Sequence, residues 1–303
     1  WRLKKNKKIR FTSAAKRKWL RNTSSTFLEK RRIAFIISGA FILLGIISLA
    51  TRGLNYGIDF KGGRTYVVRF DQDVQVADVQ RVLTDAYGVS PEVKTFGSAN
   101  QVRITTTYKV DDNSENVDNE VEELLMNGLQ DGGFIDDDVT LEEFTENYQL
   151  SSQKVGATIS DDIRKDSVIA IGFALIIIFL YILVRFSNWQ YSVGAIAALA
   201  HDALIILGIF SMLYNILPFS LEIDQAFIAA ILTVLGYSIN DTVVVLDRIR
   251  EYLKLHPKRN REQNIDAAMN STLRRTFSTS LSTAVVLFAI FLFGGATIRG
   301  FTF

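Results

Sequence analysis

AFIAAILTVLGYSINDTVVVL, Ala226 to Leu246, is a 21-residue apolar run that holds one charged side chain, Asp241. At about 1.5 Å of rise per residue, a helix of that length crosses a hydrocarbon layer about 30 Å thick. A charge near the centre of such a span costs about 2.5 to 3.5 kcal/mol on insertion scales, so ionisable residues there face the bundle interior and mark ion or proton pathways. The run therefore predicts a membrane helix, and Asp241 predicts a transporter or a gradient-driven device.

Composition conceals this. With 48% apolar residues and a formal net charge of +2 the chain would pass for an ordinary soluble protein. Segregation along the sequence decides the class. Ile33 to Ala50 is an 18-residue stretch without a charge, fenced by Arg31, Arg32 and Arg52. Val168 to Val184 lies between Asp166 and Arg185. Tyr191 to Leu217 is interrupted only by His201 and Asp202, and Thr276 to Ile298 completes a set of five predicted spans. The alternative, buried helices of a large soluble protein, fits poorly with five long runs that are each bracketed by charges.

Basic residues near span ends set the orientation. Residues 1–32 hold thirteen Lys or Arg against Glu29 alone, and the loop from Asp247 to Arg275 holds eight basic residues against four acidic ones. Both are expected in the cytoplasm, which leaves residues 52–165 outside. The basic amino-terminal segment is read as a topology anchor touching anionic membrane lipids. Its cations interleaved with aromatics would suit RNA as well as lipid headgroups, but the topology anchor is the expected role and no nucleic-acid partner is expected, and no small-residue cleavage pattern marks a signal peptide.

Residues 52–165 are long enough for a small folded domain. Alternation and helical spacing predict strand Arg64 to Phe70, helix Val74 to Tyr87, strands Glu92 to Phe96 and Gln101 to Tyr108, helix Glu115 to Gln130, and strand Val139 to Tyr148. That β-α-β-β-α-β order is the ferredoxin-like split βαβ arrangement. The expected fold class is thus a polytopic α-helical membrane protein with an extracytoplasmic α+β ferredoxin-like domain.

Catalytic signals are missing. There is no phosphate-loop motif for ATP hydrolysis and no histidine in the outer domain, and the chain has two histidines and no cysteine, so an enzyme, a metal site or a disulfide framework is not expected. The glycine-rich stretch Gly57 to Gly63 reads as a tight turn that feeds a strand. His201 reads as a packed or hydrogen-bonded helix residue.

Several motifs together resemble the SecF side of the SecD/SecF protein-export family, of the RND superfamily. They are YGIDFKGG (Tyr56–Gly63), LAHDALIILGIFSM (Leu199–Met212), LTVLGYSINDTVVVLDRIRE (Leu232–Glu251), TLRRTFSTSLST (Thr272–Thr283) and FGGATIRGF (Phe293–Phe301), in the family's order. The resemblance implies an RND-like helix bundle in the bacterial inner membrane and no organic cofactor. It implies an accessory role in export of preproteins through the SecYEG channel, driven by the proton motive force, with sodium as the ion in some members. Implied partners are a SecD half or subunit, the exported preprotein, YajC and a YidC-type insertase. Family halves contain six helices. This sequence stops at Phe303 where a sixth is expected, and residues 1–32 resemble the linker that precedes the SecF half of fused members, so a fused and a separate SecD half both stay open.

The family's transmembrane carboxylate maps onto Asp241, with Ser238, Asn240 and Thr242 as polar neighbours. In the T-L-x-R-T pattern Thr272, Leu273, Arg275 and Thr276 match, which selects Arg275 as the functional arginine and Thr276 as a supporting polar group. Gly57, Asp59, Gly62 and Gly63 carry the motif after the first span. Spacing alone puts Asp241 six residues, about 9 Å, from Asp247 at the inner boundary, the side from which Arg275 enters. The expected switch is a proton on Asp241, with loss of water favouring the neutral carboxyl and a nearby guanidinium favouring the ionised one. Asp202 is a second candidate in the relay. A static Asp241–Arg275 ion pair, an RND-type small-molecule exporter and a structural export partner without ion flux are the competing expectations.

Overall fold

The computed structural model describes residues 25–112, 114, 116–217 and 219–303, and the basic stretch before residue 25 lies outside them. Five helices in this part are long and apolar enough to cross a membrane: α1 (Phe27–Thr51), α6 (Ala157–Phe186), α7 (Trp189–Leu213), α8 (Gln225–Leu255) and α9 (Arg261–Phe293). All five predicted spans are present, but the helices overrun them. α6 starts eleven residues before Val168, so the outer segment drawn to residue 165 includes its first turns. α8 continues nine residues past Leu246. α9 starts fifteen residues before Thr276 and stops at Phe293, short of the expected Ile298. The pair Gly294–Gly295 breaks it, and a short helix α10 (Ala296–Thr302) follows. Charge fences mark where lipid ends, and nothing obliges a helix to end there.

The surfaces of these helices are those of a protein solvated by hydrocarbon. Phe35 is 71% exposed and Val184 81%, with many apolar neighbours beside them. Since lipid tails do not drive helices together, close approach must come from small residues and hydrogen bonds. α1 and α7 meet in this way. A Cβ added to Gly208 would sit 2.8 Å from the Gly45 Cα. One turn further on, the Ser48 and Ser211 hydroxyls are 2.9 Å apart, and Ser211 donates to the Gly53 carbonyl at 2.7 Å.

Between α1 and α6 lies the small domain. A one-turn helix α2 (Ile58–Lys61) leads into β1 (Gly63–Arg69), then α3 (Val76–Tyr87), β2 (Glu92–Phe96), β3 (Ser98–Thr106) and α4 (Val117–Asp131). Glu115, the predicted first residue of that last helix, lies outside the described residues. The sheet has strand order β2-β3-β1-β4, antiparallel throughout, where β4 is Gln149–Val155. Tyr66 pairs with Ile104 and Val68 with Val102, and these side chains meet Val79 and Leu83 of α3 and Val121, Leu125 and Leu129 of α4 in one core.

The predicted final strand, Val139 to Tyr148, is corrected by the structure. Leu141–Glu143 forms a turn of helix, α5, continued by a π-helical turn through Tyr148, and the strand is the next segment. Thr140 Oγ1 accepts from the Glu143 N–H while the Glu143 carboxylate accepts from the Thr140 N–H at 3.1 Å. That reciprocal capping box begins a helix, and the turn that follows buries Phe144 completely. β4 reads QLSSQKV, a polar edge strand with little apolar alternation to announce it.

The turn expected at Gly57–Gly63 contains one helical turn, and its closing glycines are required. Gly62 and Gly63 have φ of +72° and +131°, and a Cβ on Gly63 would lie 2.6 Å from the Thr106 carbonyl oxygen.

Candidate functional site

α8 and α9 pack side by side, and between them lies a cleft of about 630 Å³. Ser238, Asp241 and Thr242 of α8 line it at helical spacing, and Thr276, Thr279, Ser280 and Thr283 of α9 face them. Each row repeats every three or four residues, so each is one face of its helix. The Ser280 hydroxyl is 3.5 Å from Asp241 Oδ2. Thr276 Oγ1 is buried and, among the described residues, has no partner.

The polar chain continues onto α7. Ser238 donates to Asp202 Oδ2 at 2.5 Å, and Asp202 Oδ1 is 3.0 Å from His201 Nδ1. Asp202 and Asp241 are thus tied to the same turn of α8 through Ser238, one directly and one by sequence proximity. The serine gives its hydrogen to a carboxylate and not to the imidazole, so His201, Asp202 and Ser238 do not form a nucleophile with its base. The arrangement can bind, hold and pass a proton or a small cation.

Arg275 does not line the cleft. It stands one residue before Thr276, which rotates it by about 100° from that lining position. Its side chain is exposed, and among the described residues it makes no ion pair with Asp241. Its carbonyl accepts from Thr279 Oγ1 at 3.0 Å. The preceding Arg274 is half-buried. Asn240 is exposed on the outer face of α8, while Thr242 is half-buried in the cleft wall. Thr279, Ser280 and Thr283 are not singled out by the sequence reading, although hydroxyls at positions 276, 279, 280 and 283 trace one helical face. The hydrogen bond between Asp202 and Ser238 has no signal in the sequence, because it joins two helices.

The glycine motif sits at the other end of α8. The Gly57 N–H donates to the Ile223 carbonyl at 2.9 Å, and Asp59 Oδ2 accepts from the N–H of Gln225, the first residue of α8, at 3.0 Å. Asp224 caps the same helix by accepting from the Phe227 N–H at 2.6 Å. Gly57 has little room for a side chain, since a Cβ would lie 3.3 Å from the Glu222 carboxylate. The segment that feeds β1 is therefore bonded to the helix that carries Asp241, about 24 Å along its axis from that carboxyl.

In the small α+β domain Arg64, 2% exposed, donates to Asp118 at 2.6 Å and to the Tyr108 carbonyl at 3.1 Å. Lys154 reaches the other Asp118 oxygen at 2.7 Å. The Lys154 hydrogen bond, and then Arg64, hold the Asp118 carboxyl below its usual range, while burial pushes Glu122 up. These groups brace the domain and lie apart from the cleft.

Comparison with known proteins agrees with this layout. Residues 138–303 match the family described as protein export membrane protein SecD/SecF, C-terminal, and residues 47–74 match the SecD/SecF GG motif. The chain is 40% identical over 285 residues to the protein translocase subunit SecF of Rhodothermus marinus, covering 93% of this chain and 86% of that one. It is 36% identical to the SecF of Vibrio alginolyticus, covering 91% and 81%. The fold is similar to that of SecDF from Thermus thermophilus, a translocon-associated membrane protein, with a TM-score of 0.76 and 30% identity over 94% of this chain. The chain spans 36% of that SecDF chain.

Proposed function

Because the chain belongs to the SecF family of protein-export membrane proteins, we propose that it couples the proton motive force to export of preproteins through the SecYEG channel, with Asp241 as the proton carrier. The observation that carries this reading is the placement of Asp241, on a membrane-spanning helix, in a cleft between two such helices where Ser238, Thr242, Thr276, Thr279, Ser280 and Thr283 interrupt an otherwise apolar wall. Moving one charge through about 100 mV is worth roughly 2.3 kcal/mol, enough to bias a two-state element. Asp202 and Ser238 extend the relay. Arg275 enters from the cytoplasmic side and approaches Asp241 in the ionised state of the cycle. Sodium is the alternative coupling ion.

The link from Gly57 and Asp59 to the start of α8 suits a coupling element, since a shift of α8 is passed to the strand that follows. In this arrangement residues 52–165 are extracytoplasmic, the amino terminus is cytoplasmic, and the SecD half completes the bundle. YajC and a YidC-type insertase are further partners of the assembly.

The test uses vesicles containing the complete translocase, with proton conduction and preprotein export read together. Asp241→Asn and Arg275→Gln should each reduce the gradient-dependent part of export tenfold or more. Full gradient dependence in both variants would eliminate the coupled mechanism and leave a structural export partner.

A further inference from the structure

A second cleft lies where β2 and β3 of the small domain meet the end of α7, the start of α8 and the short helix α10, at the boundary of the spans. Its basic chamber, about 280 Å³, is lined by Lys94, Arg103 and Arg299 together with Ser220 and Phe219, and no carboxylate lines it. Its apolar neighbour, about 270 Å³, shares Arg103 and Ser220 and is walled by Phe210, Phe227, Ile231 and Phe301.

The charges around the basic chamber do not cancel. Lys94 pairs with Glu92 at 2.5 Å, and Arg103 stands 3.7 Å from Glu222. Arg299 is half-buried and, among the described residues, its side chain has no ion pair or hydrogen bond. Arg103 Nε is buried without a partner among the described residues, although the guanidinium lies over the Phe96 ring at 4.8 Å. Buried guanidinium donors are costly to leave unpaired, and an arginine fork suits a phosphate oxygen pair. Glu222 and Asp224 line the apolar chamber. Glu222 is held by Arg103 and by the Ser220 hydroxyl, and Asp224 is engaged at the α8 amino terminus, where it accepts from the Phe227 N–H.

We propose that this two-chamber cleft binds an anionic phospholipid, with the phosphodiester against Arg299 and Arg103 and an acyl chain along Phe210, Phe227 and Ile231. A phosphodiester carries one negative charge, which matches the cation that Arg299 leaves uncompensated. The placement at the span boundary puts the basic groups at headgroup level and the apolar wall at acyl depth. The site is separate from the Asp241 cleft and does not depend on the proton reading.

The experiment is thermal unfolding of the purified full chain in detergent, titrated with short-chain phosphatidylglycerol, its deacylated headgroup glycerophosphoglycerol, and inorganic phosphate. Phosphatidylglycerol should raise Tm saturably, at concentrations at least tenfold below those at which either water-soluble phosphate acts. Arg299→Gln should weaken lipid binding about tenfold. Ala230→Trp, which fills the apolar chamber, should remove the advantage of the lipid over its headgroup. Equal binding of the headgroup and the lipid would overturn the lipid assignment. An unchanged response in both variants would overturn the site.

Discussion

Asp241, Ser280 and Ser238 make separable predictions. On the proposed mechanism Asp241→Glu keeps an ionisable group in the cleft beside Ser280 and retains part of proton conduction, while Ser238→Ala breaks the bond to Asp202 and lowers conduction several-fold without abolishing it. Proton flux in vesicles checks both, and a Ser238→Ala variant with unchanged flux would remove Asp202 from the relay. In the small α+β domain, Asp118→Asn leaves buried Arg64 short of a charged partner and should cost about 2 kcal/mol. Asp118 is held below its usual range in the folded state, so its contribution is present at neutral pH and lost as pH falls through the folded value. The gap between wild type and Asp118→Asn should therefore close toward acid. Glu122 has the opposite sign: burial raises it, so Glu122→Gln should be neutral or stabilising at pH 7, with the difference vanishing at low pH. Thermal unfolding across pH measures both.

Among the elements, the membrane helices are legible in the sequence because charge-free runs of this length have little use outside a bilayer. Their ends are not, because helices run on into water. Asp241 is legible for the same reason as its helix. The position of Arg275 is not: sequence brings it to the end of the span near Asp241, and only the helical phase shows Thr276 and Ser280 facing the cleft instead. The strand expected at Val139–Tyr148 loses to the Thr140–Glu143 capping box, a local signal written in the sequence as T-x-x-E. The contact of α1 with α7 yields a further prediction. Gly208→Leu must displace α1, because even a Cβ there lies 2.8 Å from Gly45. Overpacking of this kind costs about 1–3 kcal/mol, read as a lower Tm in detergent, and an unchanged Tm would contradict the close approach.

At the scale of the whole molecule, the domain and the bundle meet through Gly57, Asp59 and the start of α8. Asp59→Ala should leave proton conduction near wild type while export falls, since it loosens the link and spares the carrier. The proposed orientation is open to labelling because the chain has no cysteine. Ser151→Cys should react with an impermeant thiol reagent from outside the cell, and Lys258→Cys only after the membrane is opened. Preprotein export by Asp241→Asn translocase, measured with and without an imposed proton gradient, decides whether Asp241 is the carrier. Export should continue at its gradient-independent rate and no longer respond to the gradient. A variant that responds as fully as wild type would contradict that role.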